Sequence, residues 1–320
     1  MLNQNDFNKL KAGDGFLHYC VLVKGEVKTA KNGRNFYYAE IKDKTALLVG
    51  RMWDGFEKFA GSAKEGDVTK VKGAVEEFQG NINIKIEDIR KVVDADNVGI
   101  TDFLVVSERS LNEMVDELKA VINSVKNEHL NKLLKNVLVA ENYEKFIHVP
   151  AGKSWHHSYI SGLLEHTLEI IKICDLISTF HKEIRRDLLI CGAVFHDFGK
   201  VKELSFNANF DYTDVGRLLG HIVLGAMDVE KAISTIKDFP ENLKMELLHL
   251  ILSHQGKLEF ATPVEPKTIE AIVLYHADEL SAKTNAYKYA IKSEENKAGN
   301  WTRFLPLANT SLYISRDDFN

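Results

Sequence analysis

A His-Asp pair at the end of an apolar run constrains this chain more than any other feature. The stretch from Val194 to Lys200 reads Val-Phe-His-Asp-Phe-Gly-Lys and ends a helix-like run of apolar residues at a glycine. Alone, the pair could be a helix end with a capped histidine. Further histidines and an aspartate lie at the ends or on the faces of separate apolar-periodic segments: His166, His221, His254 and Asp278. Residues spread so widely can converge only in a helical bundle, so the pattern predicts an all-α domain.

These side chains, with His196 and Asp197, have the chemistry of a metal site. Histidine nitrogen and carboxylate oxygen together suit divalent ions such as Mn, Fe, Zn or Mg, and no cysteine joins the set. Asp278 follows Leu274 by four residues, which places a carboxylate on an otherwise apolar helix stripe. Burying that charge unpaired is costly, so either a metal or a buried lysine or arginine should accompany it.

The first ninety residues have the period of short strands. The pattern predicts five strands, with one short amphipathic piece, 55–60, between the third and the fourth: 19–27, 35–42, 45–53, 68–76 and 81–89. This order is that of an OB-fold barrel. The predicted fold is therefore multidomain α and β, with an N-terminal five-stranded OB-fold β-barrel followed by an all-α bundle.

The second predicted strand carries aromatic rings on both faces. Tyr37, Ala39 and Ile41 alternate on one face, and Phe36 and Tyr38 lie on the other beside charged residues. Such rings can stack on bases, although aromatic residues also favour strands for packing alone. We interpret a group of residues around this strand as contacts for single-stranded nucleic acid: Lys31, Arg34, Phe36, Tyr38 and Trp53.

The predicted parts follow one another along the chain. Residues 1–90 form the nucleic-acid-binding barrel, 91–150 a linker with bracing helices, 151–298 the helical metal domain, and 299–320 an apolar tail. We expect this tail to pack on its own domain or on a neighbouring subunit.

Composition excludes several classes of protein. The net charge of −5 provides no global basic field. No run of eighteen apolar residues predicts a membrane span, and the polar N-terminus lacks a signal peptide. Cys20, Cys174 and Cys191 are odd in number, widely spaced and set among apolar neighbours, which is typical of buried free thiols in a reducing compartment. We expect a cytoplasmic protein.

The candidate ligands resemble the signature of the HD superfamily of metal-dependent phosphohydrolases. That signature is a histidine, a His-Asp pair and a distant aspartate, matched here by His166, His196-Asp197 and Asp278. His221 and His254 match the two intervening histidines of members that hold a second metal. Three segments are similar to the YhaM-type exoribonucleases, whose order of parts is also OB-fold and then HD domain: 162–167, 253–260 and 275–278.

This resemblance implies a metal-dependent hydrolase that removes nucleoside monophosphates from the 3′ end of single-stranded RNA, with single-stranded DNA as a further substrate. The expected cofactor is one or two divalent ions, with Mn(II) favoured over Mg, Fe, Zn or Co. The first ion would be held by His166, His196, Asp197 and Asp278. Asp197 would also bridge to a second ion, whose other ligands would be His221 and His254. The expected partners are RNA and other copies of the chain, up to a hexamer.

Three residues near the ligands are candidates for contact with the substrate. Lys200 resembles a lysine that contacts phosphate in related two-metal members, although it could equally complement a helix C-terminus. His157 and Lys153 lie just upstream of the first ligand, where they could touch the substrate phosphate or the terminal ribose.

The chain departs from the family pattern at a few positions, and two other functions remain open. Ser161 replaces one glycine of a pair, Gln255 replaces a frequent second histidine, and Ala261-Thr262 replaces Gly-Ser. One alternative is an HD enzyme for cyclic dinucleotides or nucleotides, although the Gly-Tyr-Pro motif of cyclic-dinucleotide hydrolases is absent after His254. The other is a non-catalytic nucleic-acid-binding protein with the HD domain as a scaffold.

Overall fold

The chain forms two structural units, one of strands that ends at Val106 and one of helices that begins at Ser107. In this computed structural model the described residues are 4–59, 62–78, 80–99, 102–153, 156–205, 210–294 and 299–316. The predicted domain bounds at residues 298 and 320 lie outside these ranges. The three helices before Pro150 contribute to the core of the helical unit; the predicted division of residues 91–150 as a linker stays a prediction.

The first unit is a closed barrel of five strands, as the sequence pattern predicts. The barrel order is β1-β2-β3-β5-β4, and only the pairing of β3 with β5 is parallel. Its strands are β1 (Gly15–Thr29), β2 (Asn35–Lys42), β3 (Leu47–Met52), β4 (Val68–Phe78) and β5 (Asn81–Lys91).

Strand alternation fills the barrel. Tyr37, Ala39 and Ile41 all point into the core, so the predicted division of β2 by face is confirmed. The amphipathic piece after β3 is a single 3₁₀ turn, Phe56–Lys58, that buries Phe56; Ala60 lies outside the described residues. The first strand starts earlier than predicted because Phe16 is buried against Phe7, with ring centroids 5.5 Å apart.

The second unit is helical, as predicted, apart from a two-stranded ribbon of β6 (Leu204–Ser205) and β7 (Asp211–Tyr212) that the sequence pattern did not indicate. Its helices are α1 (Leu111–Ser124), α2 (Glu128–Val137), α3 (Ala140–His148), α4 (Gly162–Phe180), α5 (Arg186–Phe195), α6 (Lys200–Glu203), α7 (Asp214–Ile233), α8 (Glu241–Ser253) and α9 (Ile269–Glu294).

A single apolar core joins these helices. Leu164 of α4, Leu189 of α5, Leu250 of α8 and Leu274 of α9 are all fully buried in it. Close packing of this kind fixes the helices that carry the candidate ligands.

The C-terminal segment is an irregular hairpin in which Trp301 pairs with Tyr313 and Leu305 with Thr310. Leu305 is buried, whereas Trp301 and Tyr313 are exposed. All three cysteines are free and buried, as predicted. Among the described helices, none is both long and apolar enough to cross a bilayer.

Candidate metal centre

The carboxylate of Asp197 lies at the centre of four histidines. It is almost fully buried in the turn that follows α5. Its Oδ2 atom lies 3.7 Å from Nε2 of His166 and 3.4 Å from Nε2 of His196. Its Oδ1 atom lies 3.3 Å from Nε2 of His221 and 3.5 Å from Nε2 of His254. One carboxylate therefore presents each of its oxygens to a different pair of imidazoles.

Asp278 completes the constellation from α9. Its Oδ1 atom lies 3.1 Å from Nε2 of His166. The sequence left open whether a metal or a buried lysine or arginine accompanies Asp278. Among the described residues, its partner is His166, and no lysine or arginine pairs with it.

Two of the histidines are held by the ends of their own helices. His196 follows α5 and His254 follows α8, and their Nδ1 atoms lie 2.8 Å and 2.7 Å from the carbonyls of Ala193 and Ile251. The last carbonyls of a helix have no intrahelical partner, so they are free to accept these bonds. Since a carbonyl only accepts, Nδ1 carries the hydrogen and Nε2 offers its lone pair to the centre.

A break in α7 places His221. Gly220 adopts φ 70°, and this non-helical residue divides the helix just before the histidine. The His221 backbone N–H donates to Oε1 of Glu203 at 2.9 Å, and Nδ1 lies 3.1 Å from the same oxygen. Because of this break, His221 does not continue the helical phase of the residues before Gly220.

His166, within α4, is held by side chains. Its Nδ1 atom lies 2.9 Å from Oγ of Ser281, which donates to Glu169 at 2.6 Å. Because the serine hydrogen is used on Glu169, Oγ accepts from His166. Nε2 of His157 in turn lies 3.3 Å from Glu169. Hydrogen-bonded supports of this kind fix the orientation and tautomer of metal-binding histidines.

The arrangement fits one or two divalent cations. Nε2 of His166, His196 and His221 and Oδ1 of Asp197 are buried without a hydrogen-bond partner among the described residues. Three groups have ligand atoms within 4.8 Å of one another, and two of them share Asp197: His166 with His196 and Asp197, Asp197 with His221 and His254, and His157 with Glu165 and Glu169. Buried polar atoms are rarely left unpaired, and a cation between them would satisfy all of them.

The electrostatics favour ligand forms at most of these positions. Burial lowers the pKa of His166 to about 4 and also lowers the pKa of His254. Burial acts to raise the pKa of Asp197, but Lys200 and His196 lower it more, so it lies well below its ordinary value. For His196, burial lowers the pKa, but Asp197 raises it above its usual value, so a cation here would compete with a proton.

A cavity of about 350 Å³ opens onto this centre. Its floor includes Asp197, His254, Asp278 and the buried Lys200. The Lys200 ammonium donates to Oδ2 of Asp197 at 2.6 Å and to the carbonyl of Ala151. The other described residues that line the cavity are His156, Gln255, Phe260, Tyr275, Glu279, Ala282 and Lys283. Nε2 of Gln255 lies 3.2 Å from Nε2 of His254.

Two residues predicted to touch substrate, His157 and Lys153, are not among the described residues that line this cavity. His157 is buried against Glu169 and is not among the described residues that line the cavity. Lys153 is paired with Asp211 at 2.8 Å. Their contact with substrate stays a prediction.

Sequence reasoning missed four residues around the centre: His156, Glu169, Glu203 and Ser281. A usable signal existed for two of them, since Glu169 follows His166 by three positions and Ser281 follows Asp278 by three, which is one helix face. Glu203 and His156 depend on tertiary placement and had no such signal.

On the barrel, the structure gathers most of the predicted nucleic-acid contacts. Phe36 and Trp53 have ring centroids 4.7 Å apart, and the guanidinium of Arg34 lies 5.6 Å from the Trp53 ring and binds Asp54. Nζ of Lys28 lies 3.6 Å from the centroid of the half-buried Tyr38 ring. Phe36 is largely covered, and Lys31 is exposed in the turn between β1 and β2.

Family models match both units. Residues 21–92 match the OB-fold nucleic acid binding domain, and residues 163–283 match the HD domain. Together with the histidine-aspartate centre, these matches define a phosphodiester hydrolase of the HD class that carries an OB-fold.

Relatives that match almost the whole chain identify its family. The chain is 34% identical to the 3′-5′ exoribonuclease YhaM of Bacillus subtilis over 295 residues, which cover 92% of this chain and 93% of the relative. It is 32% identical to YhaM of a Geobacillus species over 93% of this chain and 94% of the relative, and 30% identical to YhaM of Listeria monocytogenes over 96% of each. The chain belongs to the YhaM family of 3′-5′ exoribonucleases.

Gly199 packs directly against the backbone of α7. A Cβ atom on Gly199 would lie 1.9 Å from the His221 carbonyl oxygen and 2.6 Å from the Gly225 nitrogen, and backbone atoms cannot swing aside. We expect Gly199→Ala to lower the free energy of unfolding by about 1–3 kcal/mol, as overpacking does. Urea titration followed by circular dichroism measures this change.

The control is Gly15→Ala, because a Cβ atom there meets nothing within 4 Å. Equal stabilities for Gly199→Ala and the wild type would show that this contact does not hold α7 against the His-Asp turn.

Proposed function

We propose that this chain is a metal-dependent 3′-5′ exoribonuclease that shortens single-stranded RNA and releases nucleoside monophosphates. The observation that carries the proposal is the centre around Asp197, in a chain that matches exoribonucleases over nine-tenths of its length. We also propose activity on single-stranded DNA, a cytoplasmic location supported by the three buried free thiols, and the domain division predicted from sequence.

We propose that His166, His196, Asp197 and Asp278 hold one divalent ion, and that Asp197, His221 and His254 hold a second. The division of the histidines between the two oxygens of Asp197 supports this assignment. Mn(II) is the proposed metal. Bound divalent ions would lower the pKa of a water molecule and polarise the phosphoryl oxygens.

The protein side chains have distinct tasks in this reaction. Asp197 keeps its negative charge because Lys200 donates to it, so both of its oxygens remain available. An ammonium has three donors, and two of those of Lys200 are used on Asp197 and Ala151. The third would meet a phosphate oxygen in the cavity and offset the charge that develops there.

The barrel would hold the single strand while its end is hydrolysed. Half-buried Trp53 and Tyr38 keep ring surface on which bases can stack, and Arg34, Lys28 and Lys31 supply positive charge for the backbone. Phe36 would act by supporting Trp53.

We also propose that the chain self-associates, up to a hexamer. The exposed rings of Trp301, Phe304 and Tyr313 on the C-terminal hairpin support an interface there.

The catalytic proposal is tested with 5′-labelled single-stranded RNA and Mn(II). The wild type should give a descending ladder that a chelator stops. We expect Asp197→Ala to lower the rate by at least about 10²–10³-fold, the scale of losing a main electrostatic stabiliser. Asp116→Ala is the control, because Asp116 is an exposed carboxylate on α1. RNA left intact by the wild type, or cut equally by Asp197→Ala, would contradict the proposal.

A second test concerns the barrel. Replacing Tyr38 and Trp53 together by alanine should weaken binding of single-stranded RNA, since each stacked base contributes about 1–3 kcal/mol. Fluorescence anisotropy with the metal chelated measures affinity without degradation. Leu17→Ala, an exposed apolar side chain on β1, is the control. An unchanged dissociation constant for the double variant would remove these rings from the RNA contact.

A further inference from the structure

The neighbouring residues His156 and His157 face different surroundings. His157 adopts φ 42°, a left-handed conformation that is unusual for a residue with a side chain. Its backbone N–H donates to Asn285 at 2.8 Å, and its carbonyl accepts from the Ala151 N–H at 3.1 Å. The same carbonyl packs on Gly162, where a Cβ atom would come within 2.0 Å of it. These contacts hold His157 against Glu169 and set the position of His156.

His156 instead lines the cavity above the candidate metal centre. Its ring centroid lies 5.1 Å from that of His166. Both of its ring nitrogens are buried, and neither has a hydrogen-bond partner among the described residues. The ring nitrogens of His157 are also without such a partner, but Nε2 of His157 lies 3.3 Å from Glu169, and of the two histidines only His156 lines the cavity. Leaving both nitrogens of an imidazole buried and unpaired is costly, so a ligand in the cavity is the natural partner.

His156 lies near the candidate metal ligands but is not grouped with them. Among the described residues, it belongs to none of the groups whose ligand atoms lie within 4.8 Å of one another. Asp197, Asp278 and Lys200 share the cavity with it, so a substrate bound at the centre would bring its phosphate to this end. An imidazole carries an N–H donor in its neutral and its protonated form, and phosphate oxygens only accept.

We propose that His156 is a substrate-binding residue that donates a hydrogen bond to a non-bridging oxygen of the scissile phosphate. The inference rests on the proposed function, because hydrolysis from the 3′ end leaves that phosphate on the released nucleoside 5′-monophosphate. The product therefore carries the group that His156 contacts, and the nucleoside lacks it.

The experiment compares adenosine 5′-monophosphate with adenosine, each titrated calorimetrically into the Mn(II)-loaded protein. His156→Ala should weaken binding of the monophosphate by about 10- to 100-fold, the scale of a hydrogen bond to a charged group, and leave adenosine unchanged. His156→Gln, which keeps an N–H donor, should recover most of the loss. His181→Ala, an exposed histidine after α4, is the matched control. Bound manganese should be equal in all four proteins.

Three results would overturn the proposal: equal monophosphate affinity in His156→Ala and the wild type, equal weakening for adenosine, or loss of manganese from His156→Ala. The last result would make His156 part of the metal centre. The titration needs no turnover, so it separates the two claims. A wild type that bound the monophosphate through His156 and left RNA intact would overturn the proposed function alone.

Discussion

The buried carboxylate of Asp197 is the constraint on which the helical unit depends. A charge in the interior is costly unless it is paired and hydrogen-bonded. The chain meets that cost with Lys200, whose ammonium binds Oδ2, and with four imidazoles that face the two oxygens from different helices. The turn that carries Asp197 can approach α7 because Gly199 has no side chain. The packing of α4, α5, α7 and α8 thus places four histidines around one buried carboxylate.

The four imidazoles share an orientation that two kinds of support achieve. His196 and His254 use free carbonyls at the ends of their own helices. His221 depends on Glu203, and His166 on the path through Ser281 to Glu169. Each support accepts from Nδ1 and leaves the Nε2 lone pair facing Asp197. Burial of the histidines alone does not require that all four direct Nε2 towards the same carboxylate, whereas cation binding does.

The sequence predicted the barrel, the helical unit and the residues that surround Asp197, because those features follow from local periodicity and from spacing along single elements. Strand alternation placed Tyr37, Ala39 and Ile41 inside, and the helix stripe of α9 placed Asp278 on the buried side. Other features need backbone conformations or contacts between distant segments that no period records. The left-handed His157 lies against Glu169 while His156 lines the cavity, the break at Gly220 shifts the phase of α7, and Glu203 meets His221 across a turn.

In the proposed metal centre, Asp197 divides the ligands between two cation positions. The most direct measurement is anomalous scattering from crystals of the protein grown with Mn(II). We expect two peaks, one on the Oδ2 side of Asp197 among His166, His196 and Asp278, and one on the Oδ1 side with His221 and His254, with Nε2 as the ligand atom of every histidine. Manganese bound away from Asp197, or ligated through the Nδ1 atoms, would contradict this assignment of the ligands.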